Sequence, residues 1–521
     1  MKNILFILLF VLSLNACSDF LDVRAYDFVS PEEFYQNQND VQMALAGVYS
    51  ALATADVYGN RYSCMISNVD DLSFYARPAA QTATHVYGND HNTSNTDIYY
   101  AWSSIYKGIE SANILLERIE NSDIDEAVKT RIKGETKFLR AYYHFLLVQA
   151  WKDVPIRKES FKDVSKSALP ATPQAEALDW IISEMEETIP MVDDEMYDKR
   201  PSYVKKTVVE GILARVCLTR AGYPTNGGKP YYEKAAVYAK SVKDAQKHDL
   251  NPDVYEMWKR MASDRYDTEY NESMWEVEFI GARDLDGNWT DGRIGNVIGN
   301  LQKNGSTEGL GYSYGFYCGS LILWDLFDSN DKRRDLSMAP YWIDANDQYI
   351  YWEDNQIVQR ACGKFRREWE TIKPRHKNDT QENYPIIRYA DVLLMLAEAE
   401  NEVNQSPTTL AYDAINLVRE RAGIEPLSGL SYTEFQQEIR DERGRELCFE
   451  SLRKYDLVRW GIYTDAIQAL GEATYDSRWA SGSNYSSARA FAERTQKKHE
   501  FLPIPLQELA INTKLKQNPL W

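Results

Sequence analysis

Residues 207–242, TVVEGILARVCLTRAGYPTNGGKPYYEKAAVYAKSV, contain two helix-like segments separated by a turn-forming stretch. Apolar residues recur at helical spacing in 207–222 and in 230–242, whereas GYPTNGGKP between them is rich in glycine and proline. Small side chains on both segments allow the two helices to approach closely: Ala214, Ala235, Ala236 and Ala239. The stretch therefore predicts a tightly packed helical hairpin.

A second hairpin of the same kind is predicted further along the chain. It consists of YADVLLMLAEAENEV (389–403) and TTLAYDAINLVRERAG (408–423). The order helix, turn, alanine-rich helix is typical of tetratricopeptide-like units, although the spacing is too irregular for a regular repeat of about 34 residues. Earlier in the chain, helical spacing also predicts helices in 101–119 and 138–151. The latter must end before Pro155, because proline cannot continue a helix.

Residues 251–385 differ in character from the helical regions. They are rich in Gly, Asn, Asp, Tyr and Trp, and they contain short strand-like pieces at 273–280 and 348–354. The predicted fold class is therefore mainly α. A tetratricopeptide-like scaffold of helical hairpins, at about 30–250 and 386–521, carries an irregular, loop-rich and aromatic-rich insertion.

The N-terminus has the features of a bacterial lipoprotein signal. Lys2 precedes an unbroken apolar run from Ile4 to Leu12, and LNAC follows, with a small residue directly before Cys17. We predict a signal peptide at 1–16 and lipidation of Cys17, which leaves 17–521 tethered to a membrane by its acyl chains. The alternative is an ordinary secretory signal with an incidental cysteine. No later stretch approaches the length of a membrane span.

Charge and cysteine content narrow the choice of partners. The chain has 59 Lys and Arg against 78 Asp and Glu, a net charge of −19, without a concentrated basic stretch. Nucleic acid and anionic lipid surfaces are therefore poor partners, and a strongly polyanionic ligand is mildly disfavoured. The five cysteines after Cys17 are widely spaced and odd in number, which is not a disulfide framework. Cys217 and Cys448 fall at helical apolar positions and are predicted to be buried thiols.

GYSYGFY (311–317) contains the Gly-x-Ser-x-Gly spacing of a hydrolase nucleophile elbow. Such an elbow needs a strand leading into the serine and a helix leaving it, whereas KNGSTEGLGY before Ser313 is turn-forming. Only His376 and His499 follow Ser313 in the chain, and neither has a recognisable catalytic setting. Catalysis by Ser313 is therefore disfavoured.

Two further patterns bear on catalysis and metal binding. Asp284, Asp286 and Asn288 alternate as in a calcium loop, but Trp289 stands where the turn requires Gly. This excludes an EF-hand and leaves a loosely bound surface Ca²⁺ as an open alternative.

A helical stripe of glutamates further on resembles an acid/base pair, yet arginines interleave with it, so we predict a structural salt-bridge network. The residues concerned are Glu442, Glu446, Glu450, Arg443, Arg445 and Arg453. No catalytic residue, metal site or cofactor is assigned.

Aromatic residues in polar loops are the remaining candidates for a functional site. Among the 35 Tyr, 13 Trp and 17 Phe, one set lies among Gly, Asn, Asp and Ser, away from any helical stripe: Tyr75, Tyr87, Trp289, Tyr312, Tyr314 and Tyr317. Aromatic faces pack against sugar rings, and nearby polar groups bind hydroxyls: Arg77, Asn89 and His91. Loop aromatics that pack back onto the core are the alternative for each residue. For the set, we predict an oligosaccharide site.

Several motifs together resemble the SusD/RagB family of outer-membrane nutrient-binding lipoproteins. They occur in the family's order along the chain: SDFLD, WSSIYKGIESANILL, FLRAYYHFLLVQAWKDVPI, PIIRYADVLLMLAEAENE, AINLVRERAG, DERGRELCFESLRKYDLVRWG and FLPIPLQELAINTKLKQNPLW. Lys152 stands where the family more often has Gly. The loops at about 60–95 and 250–370 lie outside these motifs.

The resemblance implies a cell-surface lipoprotein of the outer membrane that binds oligosaccharide or polysaccharide. It further implies a tetratricopeptide-like scaffold facing a SusC-like TonB-dependent transporter, a ligand site on the opposite, loop-rich face, delivery of glycan to the transporter, and no catalysis. A lipid-anchored glycoside hydrolase with paired carboxylates is the second hypothesis. Neither the identity of the glycan nor that of the transporter can be read from the sequence.

Overall fold

The computed structural model describes residues 34–77, 85–163, 168–193, 200–280, 292–479 and 485–521. Its longer elements are all helical, which confirms the predicted mainly α fold. The α-helices are α1 Gln38–Ser50, α2 Thr96–Arg118, α3 Glu126–Trp151, α4 Gln174–Thr188, α5 Lys206–Ala221, α6 Lys229–Asp244, α7 Glu256–Ala262, α8 Ile294–Val297, α9 Leu321–Leu326, α10 Arg334–Ser337, α11 Tyr389–Asn404, α12 Thr409–Ala422, α13 Tyr432–Leu447, α14 Arg453–Arg459, α15 Tyr463–Ala473, α16 Tyr485–Arg494 and α17 Leu506–Ile511.

Both predicted hairpins are present. Helices α5 and α6 pack along each other, as do α11 and α12, and α6 also packs against α11. The hairpins therefore lie side by side although the loop-rich region separates them in sequence. The predicted alanines at their interface, Ala214, Ala235 and Ala239, are fully buried. Helices α2 to α5 continue this array, each packed against the next, as in repeat proteins.

Helix α3 ends at Trp151, before Pro155 as predicted. The next residue, Lys152, has φ 72° and ψ −89°, a backbone conformation with positive φ that glycine adopts with less strain. The structure thus gives a physical reason for the glycine that the SusD/RagB pattern favours at this position.

The strands are short and form small sheets. They are β1 Ser73–Tyr75, β2 Ser273–Val277, β3 Gln302–Lys303, β4 Tyr312–Ser313, β5 Tyr317–Gly319, β6 Tyr341–Ile343, β7 Tyr349–Tyr351 and β8 Tyr384–Arg388. Strand β1 pairs with β5, β2 pairs with β8, and a four-stranded sheet has the order β4-β3-β6-β7. The strand-like pieces predicted at 273–280 and 348–354 correspond to β2 and β7.

The predicted salt-bridge network is confirmed, with different partners. Glu442, Glu446 and Glu450 are buried. Of the interleaved arginines only Arg445 pairs with them, at 2.8 Å from Glu442. Their other cationic partners come from distant parts of the chain: Arg333, Lys364, Arg388, Arg419 and Arg421. Burial alone would raise the pKa of Glu446, but the surrounding arginines hold it well below its usual range. These carboxylates therefore hold the C-terminal helices to the rest of the fold.

The remaining sequence predictions concern thiols, metals and membrane spans. Cys217 and Cys448 are buried thiols, as predicted. Among the described residues no group of three or more His, Cys, Asp or Glu side chains could hold a metal ion. The calcium-like residues Asp284, Asp286 and Asn288 lie outside the described residues, as does Cys17. No helix in the described part of the chain has the length and apolar content of a membrane span.

Candidate functional site

The pairing of β1 with β5 brings two distant loops together. Tyr75 lies opposite Tyr317, and the Ala76 amide donates a hydrogen bond of 2.7 Å to the Phe316 carbonyl oxygen. The short 3₁₀ helix Val86–Gly88 places Tyr87 beside Tyr75. Residues 75–77 and 85–87 thereby share one surface with residues 312–317.

Six aromatic rings from these two loops form a continuous row, which we call the aromatic row. Its members, in spatial order, are His85, Tyr87, Tyr75, Phe316, Tyr314 and Tyr312. Tyr75 and Tyr87 are stacked with 3.8 Å between ring centroids, and Tyr314 and Phe316 with 4.5 Å. Tyr75 and Tyr87 are buried at the base, and the other four rings are half-buried at the surface.

Two cations contact the row. The guanidinium of Arg77 lies 5.1 Å from the centroid of Phe316, and its Nη2 donates a hydrogen bond of 2.8 Å to the carbonyl oxygen of Tyr314. Lys377 Nζ lies 4.6 Å from the ring centroid of Tyr312. Both contacts are favourable because an aromatic face is electron-rich. They fix the rings and supply hydrogen-bond donors at the edge of the row.

The tyrosine hydroxyls at the base of the row remain protonated at neutral pH. Burial raises the pKa of Tyr75, and burial together with the neighbouring Tyr75 raises that of Tyr87. A neutral phenol both donates and accepts a hydrogen bond. The row thus combines apolar ring surface with groups that can pair with hydroxyls.

Tyr317 differs from the prediction. Its side chain is 1% exposed, and its hydroxyl donates a hydrogen bond of 2.7 Å to the Cys64 carbonyl oxygen. The chain turns between β4 and β5 at Gly315, with φ 54°, so that the rings of Tyr312, Tyr314 and Phe316 contact one another while Ser313 and Tyr317 are buried. The structure therefore places Tyr317 in the core rather than on the surface.

Asn89 and His91 are also buried, at 4% and 5% exposure. Asn89 adopts φ 49°, which asparagine tolerates, and its Nδ2 donates to Thr495 Oγ1 at 2.8 Å. The ring of His91 packs against those of His499 and Trp521. Burial, reinforced by His499, holds the pKa of His91 well below its usual range. In this conformation both side chains support the loop from within, and neither lies on the row.

Ser313 has the environment of a structural residue. It is fully buried, and its hydroxyl lies 3.1 Å from the carbonyl oxygen of Gly299 and 3.2 Å from that of Asn296. Strand β4 contains only two residues, and the chain continues through Gly315, at φ 54°, into β5 rather than into a helix. This is not the geometry of a nucleophile elbow.

Of the predicted ligand residues, the structure brings together Tyr75, Arg77, Tyr87, Tyr312 and Tyr314. Trp289 lies outside the described residues. Three contributors to this surface lie outside the predicted set: His85, Phe316 and Lys377. Period-two alternation from Tyr312 through Tyr314 was an available signal for Phe316. No local pattern pointed to Lys377, because it is distant in sequence from Tyr312.

A helical array that carries an aromatic-rich, loop-rich insertion is the architecture of SusD-like proteins. The chain belongs to the SusD/RagB family: the family model described as "SusD family" matches residues 271–521, and the model described as "Starch-binding associating with outer membrane" matches residues 19–218. The two matches together span most of the chain.

Individual proteins agree with this assignment. SusD-like protein P25 of Formosa agariphila is 26% identical, over 99% of this chain and 98% of the relative. A solved SusD homologue from Bacteroides thetaiotaomicron superposes with a TM-score of 0.83 at 25% identity, over 94% of this chain and 98% of the homologue. A laminarin-binding SusD-like protein shares the fold at a TM-score of 0.71 and 23% identity, over 94% of this chain and all of that protein.

Proposed function

We propose that this protein is a lipid-anchored lipoprotein of the outer-membrane surface that binds oligosaccharide or polysaccharide and delivers it to a SusC-like TonB-dependent transporter. The observation that carries the binding proposal is the aromatic row. It presents half-buried rings, tyrosine hydroxyls and a guanidinium on one surface, which is the combination that a sugar requires.

The chemistry of the chain favours a neutral glycan. A net charge of −19 opposes the approach of a polyanion, whereas it has no such effect on an uncharged chain. One structural relative is described as laminarin-binding, and the model that matches the N-terminal part is described as starch-binding. Neutral glucans are therefore the first ligands to test.

Calorimetric titration with oligosaccharides from laminarin and starch, after a glycan array, tests the binding proposal. We expect Tyr312→Ala and Tyr314→Ala each to weaken binding by about 1–3 kcal/mol, roughly five- to hundred-fold, while the melting temperature changes little. Tyr100→Ala is a matched control, because Tyr100 is 44% exposed and a guanidinium, that of Arg61, lies 4.9 Å from its ring centroid. Unchanged affinity in both row variants would exclude the row as the binding site.

The transporter proposal is supported by the family and by apolar residues on the hairpin array. Val237 on α6 is 63% exposed, and Leu417 on α12 is 41% exposed. We expect Val237→Glu combined with Leu417→Glu to abolish recovery of a large barrel protein from mild detergent without changing glycan affinity. Tyr475→Glu, at a residue 74% exposed outside both hairpins, is the control. If the double variant and the wild type recovered equal amounts of the barrel protein, these hairpins would not be part of the interface.

A further inference from the structure

A second cluster of aromatic residues lies at the β6–β7 hairpin, away from the aromatic row. Strand β7 forms the edge of the four-stranded sheet, and all three of its residues are exposed: Tyr349 by 46%, Ile350 by 38% and Tyr351 by 69%. Exposed aromatic residues on an edge strand are costly to leave uncovered in a soluble domain. Three exposed residues together on one edge strand mark a candidate interaction surface.

Tyr349 and Tyr351 both rest on Tyr341 of β6. Their ring centroids lie 4.9 Å and 5.7 Å from that of Tyr341, in edge-to-face arrangements. Such contacts use the edge of one ring and the face of the other, and both tyrosines remain exposed to solvent. The two residues are two positions apart on one strand, about 6.7 Å, so their side chains project from the same face of the sheet.

The base of this cluster is rigid. The guanidinium of Arg366 lies between three rings, 5.0 Å from Trp369, 5.2 Å from Tyr341 and 5.7 Å from Tyr255. Arg366 Nη1 donates to the Tyr341 hydroxyl at 2.7 Å, and that hydroxyl donates to Glu368 at 2.8 Å. Arg366 is 4% exposed. The Tyr341 hydroxyl is thus held by hydrogen bonds, so its ring is already in place before a ligand binds to Tyr349 and Tyr351. This preorganisation lowers the entropic cost of binding.

Strand register separates this cluster from the aromatic row. Tyr312 pairs with Lys303, and Lys303 Nζ lies 4.0 Å from the ring centroid of Trp342, so these residues share one face of the sheet. Tyr341 and Tyr351 are paired neighbours on the opposite face. Strands β4 and β7 are three spacings apart, about 14 Å. One short oligosaccharide therefore cannot contact Tyr312 and Tyr351 along a single face.

We propose that Tyr341, Tyr349, Tyr351, Tyr255 and Trp369 form a second carbohydrate site, here called the hairpin site, which binds another stretch of the same neutral polysaccharide. This inference rests on the proposed glycan-binding function. Four of the five side chains are tyrosines, which offer an aromatic face and a hydroxyl to a sugar. Glu353 and Asp354, exposed just after the end of β7, offer acceptors for sugar hydroxyls. A three-residue edge strand offers too few backbone groups to favour strand addition by a peptide.

Two sites on one chain have a measurable consequence. A long polysaccharide that occupies both converts the second contact into an intramolecular step, so its apparent affinity exceeds that of a short oligosaccharide. A short oligosaccharide gains nothing from the second site. The ratio of the two affinities therefore reports on the hairpin site independently of the row.

Two measurements test this proposal. The first is native affinity electrophoresis in gels that contain laminarin, soluble starch, arabinoxylan or galactomannan. The second is calorimetry with a short oligosaccharide of whichever polysaccharide retards the protein. We expect Tyr349→Ala/Tyr351→Ala to weaken polysaccharide binding by about tenfold or more while affinity for a short ligand at the row stays within about twofold. Tyr475→Ala controls for loss of an exposed tyrosine. We expect Tyr312→Ala/Tyr314→Ala to retain residual polysaccharide binding that the quadruple variant loses.

The outcomes separate the two proposals. If the wild type is retained and Tyr349→Ala/Tyr351→Ala matches it on every polysaccharide, the hairpin site is overturned and the row stands. If the wild type is retained in no gel, the proposed glycan-binding function falls and the hairpin site falls with it. A melting temperature of the variant close to that of the wild type excludes unfolding as the cause of a loss, because both altered rings are exposed.

Discussion

Arg77 Nη2 lies 2.8 Å from the carbonyl oxygen of Tyr314, and this hydrogen bond joins the two loops that build the aromatic row. The same guanidinium lies over Phe316, so one side chain holds a ring and the backbone beside it. Arg77 thus orients the row and also offers donors at its edge. Its removal is expected to affect binding more than stability, because the contact lies at the surface.

We expect Arg77→Ala to weaken glycan binding by about 1 kcal/mol, roughly fivefold, with Arg77→Lys intermediate because lysine keeps the charge but not the planar fork. Calorimetric titration measures both effects. Arg489→Ala is a suitable control, since the Arg489 guanidinium also lies over a tyrosine, Tyr475, at 4.1 Å. Equal losses in the two alanine variants would mean that Arg77 has no specific role.

Ser313→Ala is expected to reduce stability and to leave binding unchanged. The variant removes the hydroxyl that lies between the Asn296 and Gly299 carbonyl oxygens, at a cost of about 1–3 kcal/mol. Denaturant unfolding measures the loss, and titration of the folded variant measures affinity. Ser306→Ala, at an exposed serine, is the control. If the wild type hydrolysed a glycan and Ser313→Ala did not, Ser313 would instead be a catalytic nucleophile.

The helical scaffold was predictable from the sequence because its signal is local. The spacing of apolar residues in 207–242 predicts two helices and their mutual packing without knowledge of any distant residue. The ion pairs of Glu446 and Glu450 were predictable only as a class. The carboxylates are visible in the sequence, but partners such as Arg388 and Lys364 are set by tertiary packing.

The candidate site was less predictable because it depends on long-range pairing. Composition pointed to aromatic residues near 75–87 and 312–317, and the structure joins these stretches through β1 and β5. Composition does not reveal orientation, so it could not separate surface Tyr314 from buried Tyr317. The orientation of these two rings follows from the β1–β5 pairing and from the turn at Gly315, and composition shows neither.

Lipidation of Cys17 remains a prediction from the LNAC motif. Cys17→Ala should move the protein from the membrane pellet to the soluble fraction, because the acyl chains supply the membrane attachment. Cell fractionation followed by detection of the protein measures this. Cys448→Ala is the control, since that thiol is buried in the fold. Equal membrane association of the Cys17 variant and the wild type would contradict the lipid anchor.

Glu276 gives the protein a pH dependence that can be isolated. Burial raises its pKa to about 7, and Glu278 and Asp267 add to the rise. A folded pKa above the unfolded value of about 4.3 means that the protonated form stabilises the fold at low pH. This contribution, about 4 kcal/mol in total, is lost as pH rises from about 4 through about 7. Glu276→Gln, which cannot ionise, should therefore gain stability relative to the wild type between pH 4 and pH 8, as measured by urea unfolding. If the unfolding free energies of Glu276→Gln and the wild type changed in parallel with pH, the pH dependence assigned to Glu276 would be wrong.

The buried ion pairs at Arg388 should be costly to break from either side. Its Nε lies 2.8 Å from Glu450 Oε2, and its Nη1 lies 3.1 Å from Glu446 Oε1 and 2.9 Å from Glu272 Oε1. Arg388→Met removes the cation and leaves three buried carboxylates with fewer partners, so we expect a loss of about 3–5 kcal/mol in unfolding free energy. Arg478→Met is the control, because the Arg478 side chain is 42% exposed and its pair with Asp325 contributes little.

Buried carboxylates whose pKa is lowered by arginines should lose their contribution to stability in acid. Burial would raise the pKa of Asp391, but Arg443 and Arg215 lower it to about 2, below the unfolded value of about 3.9. Its stabilising effect is therefore complete above about pH 4 and is lost as pH falls through about 2. Asp391→Asn should narrow its stability deficit relative to the wild type over that interval, as measured by urea unfolding at stepped pH. A deficit that stays constant from pH 5 to the lowest pH at which both proteins fold would show that ion pairing at Asp391 does not set the acid limit.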